Sequence, residues 1–210
     1  MNLSISGEKM RNQEAKKNDR RTQYTRKVIK EAFLDELSKK KFGKISVTAI
    51  CQICEINRGT FYLHYYDLDD VLDDVLNDAL ADTSDVLDQV LCPDKMNCTY
   101  PFCEKMQSNQ KFRPLFFDEI AASRLIGKMS DLAKEDFVTR LMQSSILTYE
   151  QAEAIFYFQI NGCLTINQMM FKNHCTDWKK IQQTIDGFLR AGIQAYLDTD
   201  RAWIAPAGNA

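Results

Sequence analysis

The sequence predicts an all-α protein in two parts, a small basic N-terminal domain of three helices and a larger acidic C-terminal helical domain. Three observations lead there. Apolar residues recur every three or four positions through most of the chain, the spacing of one helix face. Residues 46–66, SVTAICQICEINRGTFYLHYY, read as two short helices crossing at a tight turn. Charge is divided by position: residues 1–66 hold 14 Lys and Arg against 7 Asp and Glu, a net of +7, and the rest hold 13 against 22, a net of −9. The near-neutral total of −2 hides a head suited to a polyanion and a body that is not. With 210 residues, 45% of them hydrophobic, the chain can bury a sizeable core.

Residues 1–19, MNLSISGEKMRNQEAKKND, are polar without a sustained apolar period and are expected to form a mobile arm. Lys16, Lys17, Arg20 and Arg21 cluster before the first helix, either as a solvated tail or as an arm touching the phosphates or minor groove of a duplex. The head proper spans residues 20–66. From residue 22 to about 41, Val28, Ile29, Ala32, Phe33 and Leu37 fall on one helical stripe, and Gly43 suits a left-handed cap at its end. Lys39, Lys40 and Lys41 sit where cations favour the helix dipole; Lys44, just beyond, is the better phosphate candidate. Ser46 can accept a backbone N–H at the start of a two-turn helix with Val47, Ile50 and Cys51 inward. After a turn at Glu55 and Ile56, Asn57 can cap a second short helix in which Phe61 and Tyr65, four apart, are inward anchors.

The larger part spans residues 67–198. Asp67 caps a fourth helix running to about residue 91, with Leu68, Val71, Leu72, Val75, Leu76, Ala79 and Leu80 inside. Its outer face, Asp69, Asp70, Asp73, Asp74, Asp78 and Asp82, reads as solvated. Residues 91–101, LCPDKMNCTYP, break at Pro93 and Pro101. Residues 102–109 read as a short helix, 112–117 as an aromatic segment interrupted by Pro114, and 118–142 as one longer helix or two. Residues 149–172 are apolar nearly all round, so this helix is expected to be buried; Ala154, Phe158, Gly162 and Ile166 recur every four residues, and the small ones permit close helix contact. After His174 and Cys175, Thr176 or Asp177 caps a last helix with Trp178, Ile181, Ile185, Phe188, Leu189, Gly192, Ile193 and Tyr196. Residues 199–210 read as a loose tail.

The outer face of the second short helix gathers Arg58, Gly59, Thr60, Tyr62 and His64, hydrogen-bond donors around a spot without a side chain. That suits a backbone approaching phosphates and side chains entering a major groove. Arg58 and Tyr62 are assigned to bases or flanking phosphates, Thr60 and His64 to phosphates, Gly59 to the close approach, and Ser46 and Thr48 to a phosphate at a helix N-terminus. Lys44, Arg20 and Arg21 complete the candidate DNA-binding set.

NRGTFYLHY, residues 57–65, resembles the recognition helix of the TetR/AcrR family of bacterial transcription regulators. The likeness extends upstream through YTRKVIKEAFLDELSKKKFGKIS and downstream through DLDDVL, residues 24–72, and is greatest to the branch typified by the dihydroxyacetone-kinase regulator. The resemblance implies an N-terminal three-helix helix-turn-helix DNA-binding domain plus a C-terminal helical domain for dimerisation and ligand binding. It implies a homodimer in which the last two helices pair with their copies, through Ala154, Phe158, Gly162, Ile166, Ile185, Phe188 and Gly192. It also implies an effector cavity, for which Phe102, Met106, Phe112, Phe116, Phe156 and Tyr157 are candidates, with plain core packing as the alternative reading of each. Two positions depart from the family pattern. Glu55 stands where glycine is usual, which predicts a steric cost and a slightly altered turn, and Leu68 stands where a lysine commonly reaches a phosphate.

Cys51 and Cys54 have the C-x-x-C spacing of zinc and redox sites, but no second pair follows, and core filling is expected. Cys92, Cys98 and Cys103, with His174 and Cys175, match no zinc template; an oxidisable pair stays open. The sequence contains no G-x-S-x-G, P-loop or dinucleotide fingerprint, so no enzymatic activity, metal or cofactor is expected. No apolar run approaches the roughly 18 residues of a membrane span, and a cytoplasmic protein with reduced thiols is expected.

The expected function is that of a sequence-specific transcription regulator acting as a homodimer on a palindromic double-stranded operator. Its two recognition helices would lie about 34–36 Å apart, released or re-spaced by a small-molecule or protein effector in the C-terminal domain. Repression is the family's usual output. The alternatives are an activator controlled by a partner protein, a general DNA-binding protein without an effector, and a helical small-molecule binder that has lost DNA binding.

Overall fold

The structure is a computed structural model describing residues 4–82, 104–105, 108–173 and 175–197, with side-chain surroundings from residue 19 onward. Among the described residues every regular element is a helix. The chain divides into two compact units, Met1–Ala79 and Leu80–Ala210. The sequence reading set its boundary after residue 66; the first unit also takes in Val71, Leu72, Val75, Leu76 and Ala79, all buried.

In the first unit, α1 spans Ser4–Lys39. The arm expected over residues 1–19 is therefore helical from Ser4. No glycine or proline interrupts residues 8–39, and Glu, Lys, Arg, Gln and Ala all favour helix. The absence of an apolar stripe there does not mean an irregular backbone. Lys39 pairs with Asp35 and Glu36, and Lys40 with Glu36, as cations do at a helix end. Gly43 is not a left-handed cap, since no described glycine has a positive φ. A 3₁₀ turn, Phe42–Lys44, closes instead through Lys44 N–H to the Lys41 carbonyl at 2.9 Å and Ile45 N–H to that of Phe42 at 3.0 Å. Phe42 lies edge-on to Phe33, with ring centroids 5.9 Å apart.

Three helices follow, α2 (Val47–Ile53), α3 (Arg58–Tyr62) and α4 (Leu68–Asp82). Ile29 and Phe33 from α1, Ile50 from α2, Phe61 from α3, and Leu72 and Leu76 from α4 are fully buried. Burying a side chain of that size stabilises by about 1.5–3 kcal/mol, so these few residues fix the pose of α3.

In the second unit, α5 spans Arg113–Phe117, α6 Glu119–Gln143, α7 Tyr149–Lys172 and α8 Trp178–Leu197. Pro114 does not interrupt α5; it lies in the first turn, where its missing N–H has no partner to lose. Asp118 ends α5 and caps α6, its Oδ1 accepting from the backbone of Ile120 at 3.1 Å and Ala121 at 3.0 Å, so residues 119–143 are one helix. At the start of α7, the Thr148 N–H donates to Gln151 Oε1 at 2.9 Å while the Gln151 N–H donates to Thr148 Oγ1 at 3.4 Å, a capping box. Gln168 Nε2 donates to the Phe116 carbonyl at 2.8 Å and ties α7 to α5.

The apolar α7 is not buried all round as expected: Phe158 is 65% exposed and Met169 47%. Half of the expected short helix over residues 102–109 and all of the tail 199–210 lie outside the described residues, as do Phe102, Met106, Cys92, Cys98, Cys103 and His174. Among the described residues no helix is long and apolar enough to cross a membrane.

Candidate nucleic-acid interface

Two caps and one turn set α2 and α3. Ser46, in extended conformation, accepts the Ala49 N–H on Oγ at 3.2 Å and starts α2. Behind α2 the chain turns at Glu55, with φ 53, where the Ile56 N–H reaches the Cys51 carbonyl at 3.0 Å. Glu55 thus takes the left-handed conformation itself, at a cost of about 1–2 kcal/mol for a residue with a Cβ. Asn57 then starts α3, its Oδ1 accepting from the Thr60 N–H at 2.7 Å and from the Thr60 hydroxyl at 3.1 Å.

That cap changes two of the sequence-based assignments. The Thr60 hydroxyl has one hydrogen and gives it to Asn57, so in this arrangement Thr60 is a capping group and not a phosphate donor. A Cβ on Gly59 would lie 3.1 Å from Asn57 Oδ1, so a side chain here would require the cap to give by a few tenths of an ångström, apart from any close approach of a phosphate.

Phe61 and Tyr65 are buried, at 0% and 4% exposure, as the four-residue spacing predicted. Tyr65 does more than fill space. Its hydroxyl donates to Asp74 Oδ2 at 2.6 Å, and the Arg26 guanidinium lies 4.9 Å from the centre of its ring. Arg26 Nη2 also meets Asp74 Oδ2 at 3.1 Å, while Lys30 Nζ meets Asp74 at 3.3 Å and Asp78 at 2.6 Å. Asp74 and Asp78, expected on a solvated face, instead join α1, the end of the α3 segment and α4. Burial opposes the charge on Asp74, but the Tyr65 hydroxyl, Arg26 and Lys30 outweigh it and hold the carboxyl below its ordinary value. Burial and the adjacent carboxylate push the Tyr65 phenol well above its own.

Braced from behind, α3 presents its other side to solvent. Arg58 and Gly59 are exposed and Tyr62 is 52% exposed, while His64 and Thr60 are half-buried. Ser46 and Thr48 are exposed at the start of α2, which packs on α3, and Lys44 is exposed just before it. Arg20 and Arg21 are exposed on α1 ahead of its buried stripe. Sequence reasoning missed the Arg26, Lys30, Asp74 and Asp78 cluster, for which a signal existed: two cations four apart on one helix and two acids four apart on another. Leu63, left without a role in the sequence reading, is 81% exposed beside Tyr62.

Cys51 is buried in this core, and the Cys54 thiol donates to the Val28 carbonyl at 3.5 Å. Burial pushes the Cys54 thiol up to about 11, the setting of a packing cysteine and not of a reactive one. In the second unit Phe112, Phe116 and Phe156 are at most 4% exposed, and Phe156 packs against Phe137 with ring centroids 5.3 Å apart. Tyr157 is 42% exposed. A groove of about 160 Å³ lies elsewhere, between α7 and α8, lined by Ile155, Phe158, Phe188, Leu189, Gly192 and Tyr196. It gathers Phe158, Phe188 and Gly192 of the expected dimer set; Ala154 is exposed nearby on α7, and Gly162, Ile166 and Ile185 are half-buried.

No protein-family model matches the chain, and no curated protein matches it.

Proposed function

We propose that the protein is a sequence-specific DNA-binding transcription regulator, acting as a homodimer on a palindromic operator through its α2–α3 segment. The observation that supports it is the pose of α3. Buried Phe61 and Tyr65 anchor one side, leaving Arg58, Gly59 and Tyr62 together on the solvent side of a segment, residues 1–66, that carries a net charge of +7. A short helix capped at its start and braced from behind can enter a major groove without first being ordered, and the surrounding cations supply the sequence-independent attraction to phosphates. The open faces of α7 and α8 supply the apolar surface for a two-fold partner, and an effector bound to the second unit releases or re-spaces the recognition helices.

The test is a titration of the full chain against duplexes from its own upstream region and against shuffled duplexes, at one fixed salt concentration. A specific regulator prefers one upstream fragment by a factor on the order of 10³ or more. Arg58→Ala and Tyr62→Ala each lower that preference. Equal binding to every duplex would reject specificity and leave a general DNA binder; binding to none at low salt would reject DNA binding altogether.

A second reading concerns the effector. Phe112, Phe116 and Phe156 are packed by protein, so a free small molecule could enter among them only by displacing rings. This favours control by a partner protein over an inducer held at those residues.

A further inference from the structure

Leu63 ends the exposed side of α3. Its backbone is still helical (φ −73°, ψ −18°), and its N–H reaches the Gly59 carbonyl at 3.1 Å. Residues four apart share a helix face, so Leu63 lies on the face of Gly59, which has no side chain, next to Tyr62. At 81% exposure its isobutyl group is almost wholly in water. A single exposed leucine is ordinary on a protein surface. What distinguishes this one is its position on the exposed side of α3, on the stripe next to the one that carries Arg58 and Tyr62, with no bulk at Gly59 to hold a partner surface away.

In the major groove the four bases offer hydrogen-bond donors, acceptors and one apolar group, the C5 methyl of thymine. An aliphatic side chain can pack on that methyl and satisfies none of the polar edges. We infer that Leu63 packs against a thymine methyl in each operator half-site and so selects one base pair by apolar contact. The inference rests on the DNA-binding reading above. 5-Methylcytosine carries its methyl at the same place in the groove, so it is accepted there better than cytosine.

The experiment enriches a preferred duplex from a randomised pool with the full chain. Each thymine is then replaced by uracil, symmetrically in both half-sites. At one position uracil weakens binding about fourfold per half-site, about fifteenfold for both, the worth of one buried methyl. Leu63→Ala, at an exposed position that leaves the fold intact by circular dichroism, weakens the thymine duplex by a similar factor and abolishes the difference between thymine and uracil. Arg58→Ala weakens both duplexes alike and preserves the difference. Uracil tolerated at every position, or a thymine preference that survives Leu63→Ala, overturns the inference while leaving the DNA-binding reading standing. Failure to enrich any duplex overturns both.

Discussion

The Tyr65 hydroxyl donates to Asp74 Oδ2 at 2.6 Å, joining the segment that carries α3 to the middle of α4. Asp74 also receives Arg26 and Lys30 from α1, so one half-buried carboxylate is the common acceptor of three donors. A hydrogen bond to a charged group contributes about 1.5–3 kcal/mol, and here the cations Arg26 and Lys30 partly compensate its loss. Tyr65→Phe keeps the ring, its burial and its stacking with Arg26, and is expected to cost about 1–2 kcal/mol in urea denaturation. Asp74→Ala is expected to cost more, because it leaves the buried phenol and Arg26 without their shared acceptor.

The same carboxylate gives a pH dependence of known sign. Burial raises the Asp74 value, and the Tyr65 hydroxyl, Arg26 and Lys30 more than reverse that, so the folded value lies below the unfolded one. Such a group contributes stability that is fully present above the ordinary carboxylate value of about 3.9 and is lost as pH falls through the folded value. Urea midpoints of the wild type and Asp74→Asn, followed from pH 6 to pH 3, are expected to differ by a constant amount down to about pH 4 and to converge below it. A difference that grew on acidification would refute the assignment.

Glu55 is the only described residue other than glycine with a positive φ. Replacing it with glycine removes the clash of a Cβ in the left-handed region and adds some entropy to the unfolded chain. The net expected effect of Glu55→Gly is a gain of about 0.5–1 kcal/mol, read as a higher melting temperature. Glu55→Val, with a branched Cβ at the same φ, is expected to destabilise.

These positions also show what a sequence can and cannot disclose. The Ser46 and Asn57 caps and the Phe61 and Tyr65 anchors were legible because each depends on residues three or four apart in the chain. The partner of Tyr65 was not, because helical period says which residues share a face but not what stands across from it. Asp74 read as solvated for that reason, although it meets Arg26 from 48 positions away. The reach of α1 back to Ser4 was missed because a sequence without an apolar stripe has no periodic signature. In the candidate site, the exposed residues of α3 were legible from Phe61 and Tyr65 by subtraction, whereas the turning of Thr60 onto Asn57 required coordinates.

The proposed homodimer turns on Phe158 and Phe188, two rings 65% and 64% exposed in the single chain at the groove between α7 and α8. Apolar rings grouped in that way mark an interaction surface more often than a solvated one. Neither ring is needed to hold its own unit together, since Phe156, Ile160, Leu164 and Leu189 supply the buried contacts of the same helices. Phe188→Glu is therefore expected to keep its helical circular dichroism while its mass by sedimentation falls from two chains to one. Losing the second copy removes one of two linked half-site contacts, which lowers operator affinity by about 10²–10⁴ without altering any residue of α3. A Phe188→Glu protein that stayed dimeric would move the two-fold interface off this groove. One that turned monomeric with operator affinity intact would show that a single α3 suffices.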